Sequence, residues 1–173
     1  MITVNRDAEK KSAIKIKRVT SQRELVQAFT IRIRVFIREQ HVPAEIELDH
    51  DDQRAIHFLA LASGRPVGTA RVVMRHGGAK IGRMAVLKSY RRRGVGAKLL
   101  KHAIAMAKRR HARKIYLHAQ VSVIGFYERM GFCSIGSAFD EAGIPHCKMI
   151  FGGGTKLIAK NAKRKATGSG KDS

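Results

Sequence analysis

The sequence predicts an α/β fold: a mixed, mostly antiparallel sheet with helices on both of its faces. Three observations lead to this prediction. Short apolar segments of strand length alternate with segments of helical periodicity, in the order βαβββαβαββ. Strands flank each helical segment, as expected when helices cover the faces of a sheet. The 173 residues, of which 44% are hydrophobic, provide a core for one compact domain but not for two ordinary ones.

The first half of the chain contains one helix and four strands. Residues 13–19 alternate apolar and charged side chains, which is typical of a half-exposed strand. Thr20 or Ser21, followed by Glu24, has the pattern of a helix cap and predicts a helix over residues 22–37. Three apolar strands separated by turn residues follow, at 57–62, 67–74 and 80–87.

The second half begins with a long amphipathic helix, predicted over residues 94–110. Lysines occupy one of its faces. The apolar face consists of Val95, Leu99, Ala103, Met106 and Ala107. The remaining predicted elements are a strand at 114–118, a short helix at 122–130 and two late strands at 132–137 and 147–151.

We expect the domain to span residues 13–151, between two basic segments. Residues 1–12 form a basic extension, and residues 152–173 form a basic tail that is expected to be mobile. No uninterrupted apolar run is longer than that at residues 58–62, which is far shorter than the roughly 20 residues that cross a bilayer. We therefore expect no membrane span and a cytoplasmic location.

The charge of the chain is unusual and unevenly distributed. Thirty-five basic against 13 acidic side chains give a net charge of +22, which predicts an anionic partner, such as a nucleic acid bound through the basic ends. No Asp or Glu occurs between residues 53 and 127, whereas 17 Lys or Arg do. Five carboxylates crowd instead into residues 45–52, the acidic segment. The two cysteines and the histidines lack metal-ligand spacing, so we expect no metal site.

The most informative motif joins the strand at 80–87 to the long helix through the basic loop Arg91–Arg92–Arg93–Gly94. Backbone N–H groups and the positive end of the helix dipole meet at such a helix start, and glycines let a phosphate approach the main chain. The loop lacks the Gly-Lys-Ser or Gly-Lys-Thr ending of a Walker motif, and it lacks the third glycine and the later acidic ribose ligand of a Rossmann motif. Either it binds a phosphate group of another kind, or it is a solvated basic turn.

The surroundings of this loop favour phosphate binding. The pattern R-x-x-G-x-G lies between a strand and an amphipathic helix, and Gly-Phe-Tyr-Glu-Arg-Met-Gly-Phe follows at residues 125–132. Together these motifs resemble the GNAT superfamily of acetyl-coenzyme-A-dependent acyltransferases. The resemblance extends to residues 34–43 and to Gly-Ile-Pro-His at 143–146, and it covers about residues 13–151.

The resemblance implies a GNAT fold, with a sheet splayed between its fourth and fifth strands, and acetyl-CoA as the acyl donor. It also implies that the backbone of Met84, Ala85 and Val86 pairs with the pantetheine arm and polarises the thioester carbonyl, as an oxyanion site does. The residues implied to hold the pyrophosphate are Arg91, Arg92, Arg93, Gly94, Val95, Gly96 and Ala97.

The resemblance further suggests two catalytic side chains. Tyr127 matches the family's tyrosine that protonates the leaving thiolate, although it could instead only pack between the short helix and the sheet. His146 matches a base in the branch that includes glyphosate N-acetyltransferase, and its alternative role is that of a strand histidine satisfied within the sheet. The phosphonate-binding arginines of that branch are replaced here by Ile37, Gly82 and Gln120, which argues against glyphosate-like substrates.

The acceptor is the least determined part of the prediction. A primary amine of a small molecule or a peptide is expected, and its candidate contacts are Arg34, Glu39, Arg83 and Gln120. The acidic segment could attract a cationic amine, or it could merely offset the neighbouring Arg34 and Arg38. The alternatives to an enzyme are a nucleic-acid-binding or ribosome-associated protein and a degenerate GNAT domain that regulates by binding acetyl-CoA. The sequence leaves open whether the protein is a monomer or a homodimer.

Overall fold

The computed structural model describes residues 13–152, which divide into two compact units between Ile115 and Tyr116. The predicted N-terminal extension and nearly all of the predicted tail lie outside the described residues. Within residues 13–152, no helix is long and apolar enough to cross a membrane. Each unit is described by itself below.

The first unit contains four antiparallel strands in the order β1-β2-β3-β4. The strands are β1 (Ile14–Arg18), β2 (Ile56–Ala62), β3 (Arg65–Arg75) and β4 (Gly78–Val86). The helices are α1 (Gln22–Arg32), which continues as a π-helical segment (Ile33–Glu39), the single turn α2 (Ala44–Glu47) and α3 (Val95–Arg109). Two 3₁₀ turns, His50–Gln53 and Lys88–Tyr90, complete the unit.

Helix α1 begins at the predicted cap. The Ser21 side chain accepts a hydrogen bond from the Glu24 N–H at 3.3 Å, and the Glu24 carboxylate accepts one from the Thr20 N–H at 2.8 Å. This reciprocal pair satisfies two backbone donors at the helix start. The predicted single helix over 22–37 was wrong at its end, because the turns widen to a π-helix from Ile33 onward.

Helices α1 and α3 pack on opposite faces of the first unit's sheet. Leu59 and Ala85, both aligned with Thr69, contact the core stripe of α1. The neighbouring residue Gly68 faces the other way, and a Cβ there would lie 3.1 Å from Leu99 and 3.2 Å from Val95 of α3. Because glycine lets α3 approach the sheet this closely, the first turn of α3 packs beside the carboxyl end of β4.

Strand β4 is interrupted by a β-bulge at Arg83 and Met84. Gly82 pairs with Arg71 and Ala85 pairs with Thr69, so two residues of β4 face the single Ala70 of β3. Arg83 has a φ of +49°, in the left-handed region that non-glycine residues rarely adopt. The bulge therefore lies at the start of the Met84–Val86 backbone that the sequence predicts as the pantetheine contact.

The second unit is an antiparallel sheet in the order β5-β7-β6, joined by one short helix. Its elements are β5 (Lys114–Gln120), the 3₁₀ turn Val121–Val123, α4 (Ile124–Arg129), β6 (Phe132–Glu141) and β7 (Ile144–Phe151). The last two strands are longer than predicted and meet in a hairpin at Ala142 and Gly143, both with positive φ. Leu117, Phe132 and Met149 are buried, which accounts for the apolar pattern of these strands.

Candidate active site

The arginine loop and the start of α3 form a cradle suited to an anion. Gly94 caps α3 with a φ of +75° and has no side chain to accept the first amides, and nothing lies within 4 Å of the position of its absent Cβ. The first intrahelical bond runs from the Lys98 N–H to the Gly94 carbonyl at 3.1 Å. The amides of Val95, Gly96 and Ala97 precede that bond and point out of the helix end, where the dipole favours negative charge.

The three arginines of the loop have different environments. Arg92, with a φ of +61°, and Arg93 are exposed, and the Arg93 guanidinium lies 5.3 Å from the centre of the Tyr90 ring. Arg91 is held instead by the Glu39 carboxylate through two bonds of 2.5 and 2.8 Å, and its Nε donates to the Val86 carbonyl at 2.9 Å. The exposed pair is therefore better placed than Arg91 to meet a diphosphate.

The Arg91–Glu39 pair connects three elements of the first unit. Glu39 is the last residue of the π-helical segment, Val86 ends β4, and Arg91 precedes α3. The hydrogen bond from Arg91 lowers the pKa of Glu39, which keeps the carboxylate ionised. The guanidinium thus fixes the end of β4 relative to the loop, although the sequence analysis placed Arg91 on the pyrophosphate and Glu39 on the acceptor.

The acidic segment is built around the fully buried Arg32. Its Nε donates to a Glu47 carboxylate oxygen at 2.5 Å, its Nη2 to the Glu47 carbonyl at 2.5 Å and its Nη1 to Asp52 at 2.7 Å. Glu47 is only 2% exposed. A buried guanidinium needs acceptors for its donors, and α2 and the following turn supply them.

Two further arginines, one on each of two neighbouring strands, bind the same segment. Arg71 of β3 donates to both oxygens of Asp49, at 2.6 and 2.9 Å, and to Asp52 at 2.8 Å. Arg83 of β4 donates to Asp49 at 2.9 Å and lies 3.1 Å from a Glu47 carboxylate oxygen. Of the two alternatives for this segment, the one in which it merely offsets Arg34 and Arg38 was wrong about the partners, because Arg32 of α1 and two arginines of the sheet supply the compensating charge.

The pKa values within this cluster follow from burial and pairing. Burial opposes ionisation of Asp52, but hydrogen bonds from Arg32 and Arg71 outweigh it and lower its pKa to about 2. Burial raises the pKa of Glu47, and the charges of Arg32 and Arg83 only partly offset that effect. The carboxylates of Glu47, Asp49, Asp51 and Asp52 are each paired with an arginine, so the exposed Glu45 is the one carboxylate of the acidic segment without such a partner among residues 13–152.

In the second unit, Tyr127 lies on α4 within an aromatic group. Its ring makes edge contacts with Phe126 at 4.9 Å and with Phe132 at 6.1 Å between ring centres. Burial raises the pKa of the Tyr127 hydroxyl to about 12. The hydroxyl therefore carries its proton throughout the neutral range, as a proton donor must.

His146 lies on β7, directly opposite Gln120 of β5. Its Nδ1 is 2.7 Å from the Ile144 carbonyl oxygen, and because a carbonyl can only accept, Nδ1 carries the proton. In the neutral ring, Nε2 consequently presents a lone pair. This is the tautomer that a general base acting through Nε2 requires.

Comparison with known proteins identifies the family. The sequence model of the protein family described as the acetyltransferase (GNAT) domain matches residues 10–151. This chain belongs to the GNAT acetyltransferase family. It is accordingly an acyltransferase enzyme, and the acyl donor of its family is acetyl-CoA.

Individual GNAT relatives agree with the family match. A Bacillus subtilis protein named as the uncharacterized N-acetyltransferase YjcF is 36% identical over 131 residues, which span 75% of this chain and 94% of that protein. An acyl-CoA N-acyltransferase of Pseudomonas aeruginosa has a TM-score of 0.72 at 26% identity, over 80% of this chain and 99% of that one. Escherichia coli ElaA gives 0.71 at 25%, over the same shares. The predicted α/β GNAT fold is confirmed.

The sequence analysis named some residues of the candidate site and missed others. It singled out the glycine-capped start of α3 but not the buried Arg32 or the strand residue Arg71. A signal for each was present: Arg32 lies beside Ala28, Ile31 and Val35 in the apolar stripe of a helix, and Arg71 interrupts an apolar strand. A cation in a buried position requires carboxylates nearby, and the acidic segment supplies them. Of the predicted acceptor contacts, Arg34 is exposed and Gln120 half-buried.

Proposed function

We propose that this GNAT enzyme transfers the acetyl group of acetyl-CoA to a primary amine by direct attack in a ternary complex. The observation that carries the proposal is the glycine-capped start of α3, where uncapped amides and two exposed arginines form an anion cradle beside the end of β4. A diphosphate fits this donor set, because backbone N–H groups and guanidinium groups are its usual partners.

In this proposal the first unit binds and polarises the acyl donor. Arg92, Arg93 and the amides of residues 94–97 hold the pyrophosphate. The backbone of residues 84–86 pairs with the pantetheine arm and donates towards the thioester oxygen. Acetyl-CoA supplies an activated thioester, whose acyl carbon accepts the amine and whose sulfur leaves. No cysteine nucleophile is required.

In this proposal, two side chains of the second unit transfer protons during the reaction. His146 Nε2 accepts a proton from the acceptor amine as the C–N bond forms, and the Tyr127 hydroxyl donates one to the sulfur as the C–S bond breaks. Two observations support these roles: the Ile144 carbonyl holds the proton on His146 Nδ1, and burial keeps Tyr127 protonated.

The acceptor class is part of the proposal. We infer a small-molecule or peptide amine, and a cytoplasmic protein that is a monomer or a homodimer. Relationship to the glyphosate N-acetyltransferase branch stays a prediction, carried by His146 and weakened by Ile37, Gly82 and Gln120 at the phosphonate-binding positions.

The direct test is thiol release from acetyl-CoA with a panel of polyamines, amino acids, aminosugars, aminoglycosides and peptides. Thermal unfolding with and without CoA is measured in parallel, because a ligand that binds the folded state raises its melting temperature. We expect a CoA-dependent rise and acceptor-dependent thiol release. A rise without turnover on any amine would favour the regulatory GNAT domain, and no rise at all would remove the acyl-transfer proposal.

The roles of the two catalytic candidates can be separated. His146→Ala is expected to lower turnover at least tenfold, while CoA affinity stays nearly unchanged. Tyr127→Phe keeps the ring packing and is expected to lower turnover by about tenfold. His76→Ala, at an exposed turn, is the matched control. Unchanged turnover in His146→Ala would reject His146 as the base.

An anionic partner is a separate candidate. The predicted contacts, the basic ends, lie outside the described residues. Lys101 and Arg109 on the outer face of α3 are exposed and form no ion pair among residues 13–152. Gel-shift titration of the full chain with RNA and DNA across a salt series tests this candidate, with Lys101→Glu/Arg109→Glu as the variant. We expect weaker binding in the variant and a shallower salt dependence.

A further inference from the structure

The β4 bulge carries strain that the rest of the strand does not. Arg83 adopts a left-handed φ of +49° inside a strand, whereas Gly82 and Ala85, on either side of the bulge, pair in register with β3. Non-glycine residues stay in this region only when surrounding contacts hold them there, and such residues cluster at functional sites. The contacts of the Arg83 side chain are therefore informative.

Among residues 13–152, every hydrogen bond and ion pair of the Arg83 guanidinium goes to the acidic segment. Nε donates to the Glu47 carbonyl at 3.1 Å, and Nη2 donates to the Ile46 carbonyl at 2.8 Å and to Asp49 at 2.9 Å. A Glu47 carboxylate oxygen also lies 3.1 Å from Nε. The side chain is 18% exposed, so these bonds are partly shielded from water.

The acceptors that hold Arg83 are themselves fixed. Glu47 is bound by the buried Arg32, and Asp49 is bound through both oxygens by Arg71. Arg32 lies on α1 and Arg71 on β3, so the bulge of β4 is tied to two other elements through the acidic segment. An assembly of this kind fixes a backbone conformation better than a single exposed ion pair does.

We infer that Arg83 is a positioning residue for acyl transfer: its clasp on Glu47 and Asp49 holds the β4 bulge so that the following backbone polarises the thioester carbonyl. This inference rests on the proposed function and adds to it a specific role for the acidic segment. Instead of attracting the acceptor, the segment sets the geometry of the backbone that meets the acyl donor.

Four variants test the clasp. Arg83→Ala removes the guanidinium, and Arg83→Gly removes it while relieving the strain of the positive φ. Asp49→Asn weakens the same contact from the other side. Arg75→Ala is the matched control, because Arg75 is an exposed arginine paired with Asp51 of the same segment at 2.5 Å and lies outside the bulge.

The expected result is a split between binding and turnover. Arg83→Ala and Arg83→Gly lower kcat at least tenfold, while the Kd for CoA, set mainly at the α3 cradle, changes less than threefold. The carbonyl stretch of isotopically labelled acetyl-CoA, measured by difference infrared spectroscopy without acceptor, shifts from its solution value on the wild-type enzyme. In Arg83→Ala and Arg83→Gly the carbonyl band returns towards its solution value. In Asp49→Asn it returns less far, and in Arg75→Ala it stays at its wild-type position.

The outcomes are distinguishable. A fall in melting temperature with unchanged kcat and an unchanged carbonyl band would make Arg83 a purely structural residue and overturn the inference. If Arg83→Ala fails to fold, the glycine variant and Asp49→Asn provide the same readouts. A wild-type enzyme that neither binds acetyl-CoA nor shifts its carbonyl band would instead refute the proposed function, and with it this inference.

Discussion

The acidic segment and the arginine loop contrast in how their charges are compensated. Both are dense runs of one sign in the sequence. In the acidic segment, the carboxylates of Glu47, Asp49 and Asp52 form ion pairs with three arginines, and the cluster is largely buried. The arginines are Arg32, Arg71 and Arg83. In the arginine loop, Arg91 forms an ion pair with Glu39, whereas Arg92 and Arg93 are exposed beside the start of α3. The difference teaches that a charge run marks a binding surface only where the fold supplies no counter-charge.

The largest effect is expected where a buried charge loses its partner. Arg32→Met keeps apolar bulk but leaves Glu47 with Arg83 and Asp52 with Arg71 as their remaining guanidinium partners, and removing one member of a buried pair costs about 3–5 kcal/mol. Urea unfolding measures the free energy. Arg75→Ala, which breaks an exposed pair, is the control. A loss in Arg32→Met no larger than that of the control would show that the buried cluster contributes little to stability.

The next effect is acid sensitivity caused by Asp52. Its pKa falls from a usual 3.8 to about 2 in the folded chain, so its ionised form stabilises the fold by about 2 kcal/mol above pH 4. Because the folded pKa is depressed, this contribution is lost as the pH falls from about 4 to 2. Stability curves for the wild type and Asp52→Asn should converge across that window. Parallel curves would mean that Asp52 is not held ionised by its arginines.

The arginine loop provides the opposite case, in which charge removal should affect binding rather than stability. Arg92→Ala/Arg93→Ala is expected to weaken CoA binding about tenfold, or about 1.4 kcal/mol. Isothermal titration at two salt concentrations measures this loss, which should shrink at high salt because the pair is exposed. Lys101→Ala/Arg109→Ala on the outer face of α3 is the control. An equal loss in the control would indicate a general field of positive charge instead of a cradle.

The smallest effect is expected at the exposed rim of the acidic segment. Asp51→Asn breaks a surface pair with Arg75, which is worth at most about 1 kcal/mol. The Michaelis constant for a polyamine acceptor should not change, because Asp51 is already paired with Arg75 and the charges of Glu47, Asp49 and Asp52 are compensated by arginines. Steady-state kinetics with the best amine of the panel tests this expectation, and a raised constant would restore the segment as an attractant for cationic acceptors.

The same contrast explains how far the sequence could lead. Local patterns predicted the Ser21–Glu24 cap, the apolar face of α3 and the glycine that begins it, because each depends on residues close together in the chain. The ion pairs of Asp49 with Arg71 and Arg83 join residues 22 and 34 positions apart, and no local period reports such pairing. The β4 bulge escaped prediction for a related reason, since the side chain of its left-handed residue Arg83 bonds to a segment distant in the sequence.

The glycine on β3 has a final consequence for anyone who wishes to retune this enzyme. Gly68 touches no expected ligand, yet a methyl group there would meet the Ala85 carbonyl at 3.1 Å as well as two side chains of α3. The methyl group of alanine at this position would push against α3 and displace the amino end of that helix by a few tenths of an ångström. The affinity for acetyl-CoA could then be adjusted from the sheet side of α3, without changing any residue proposed to contact the ligand.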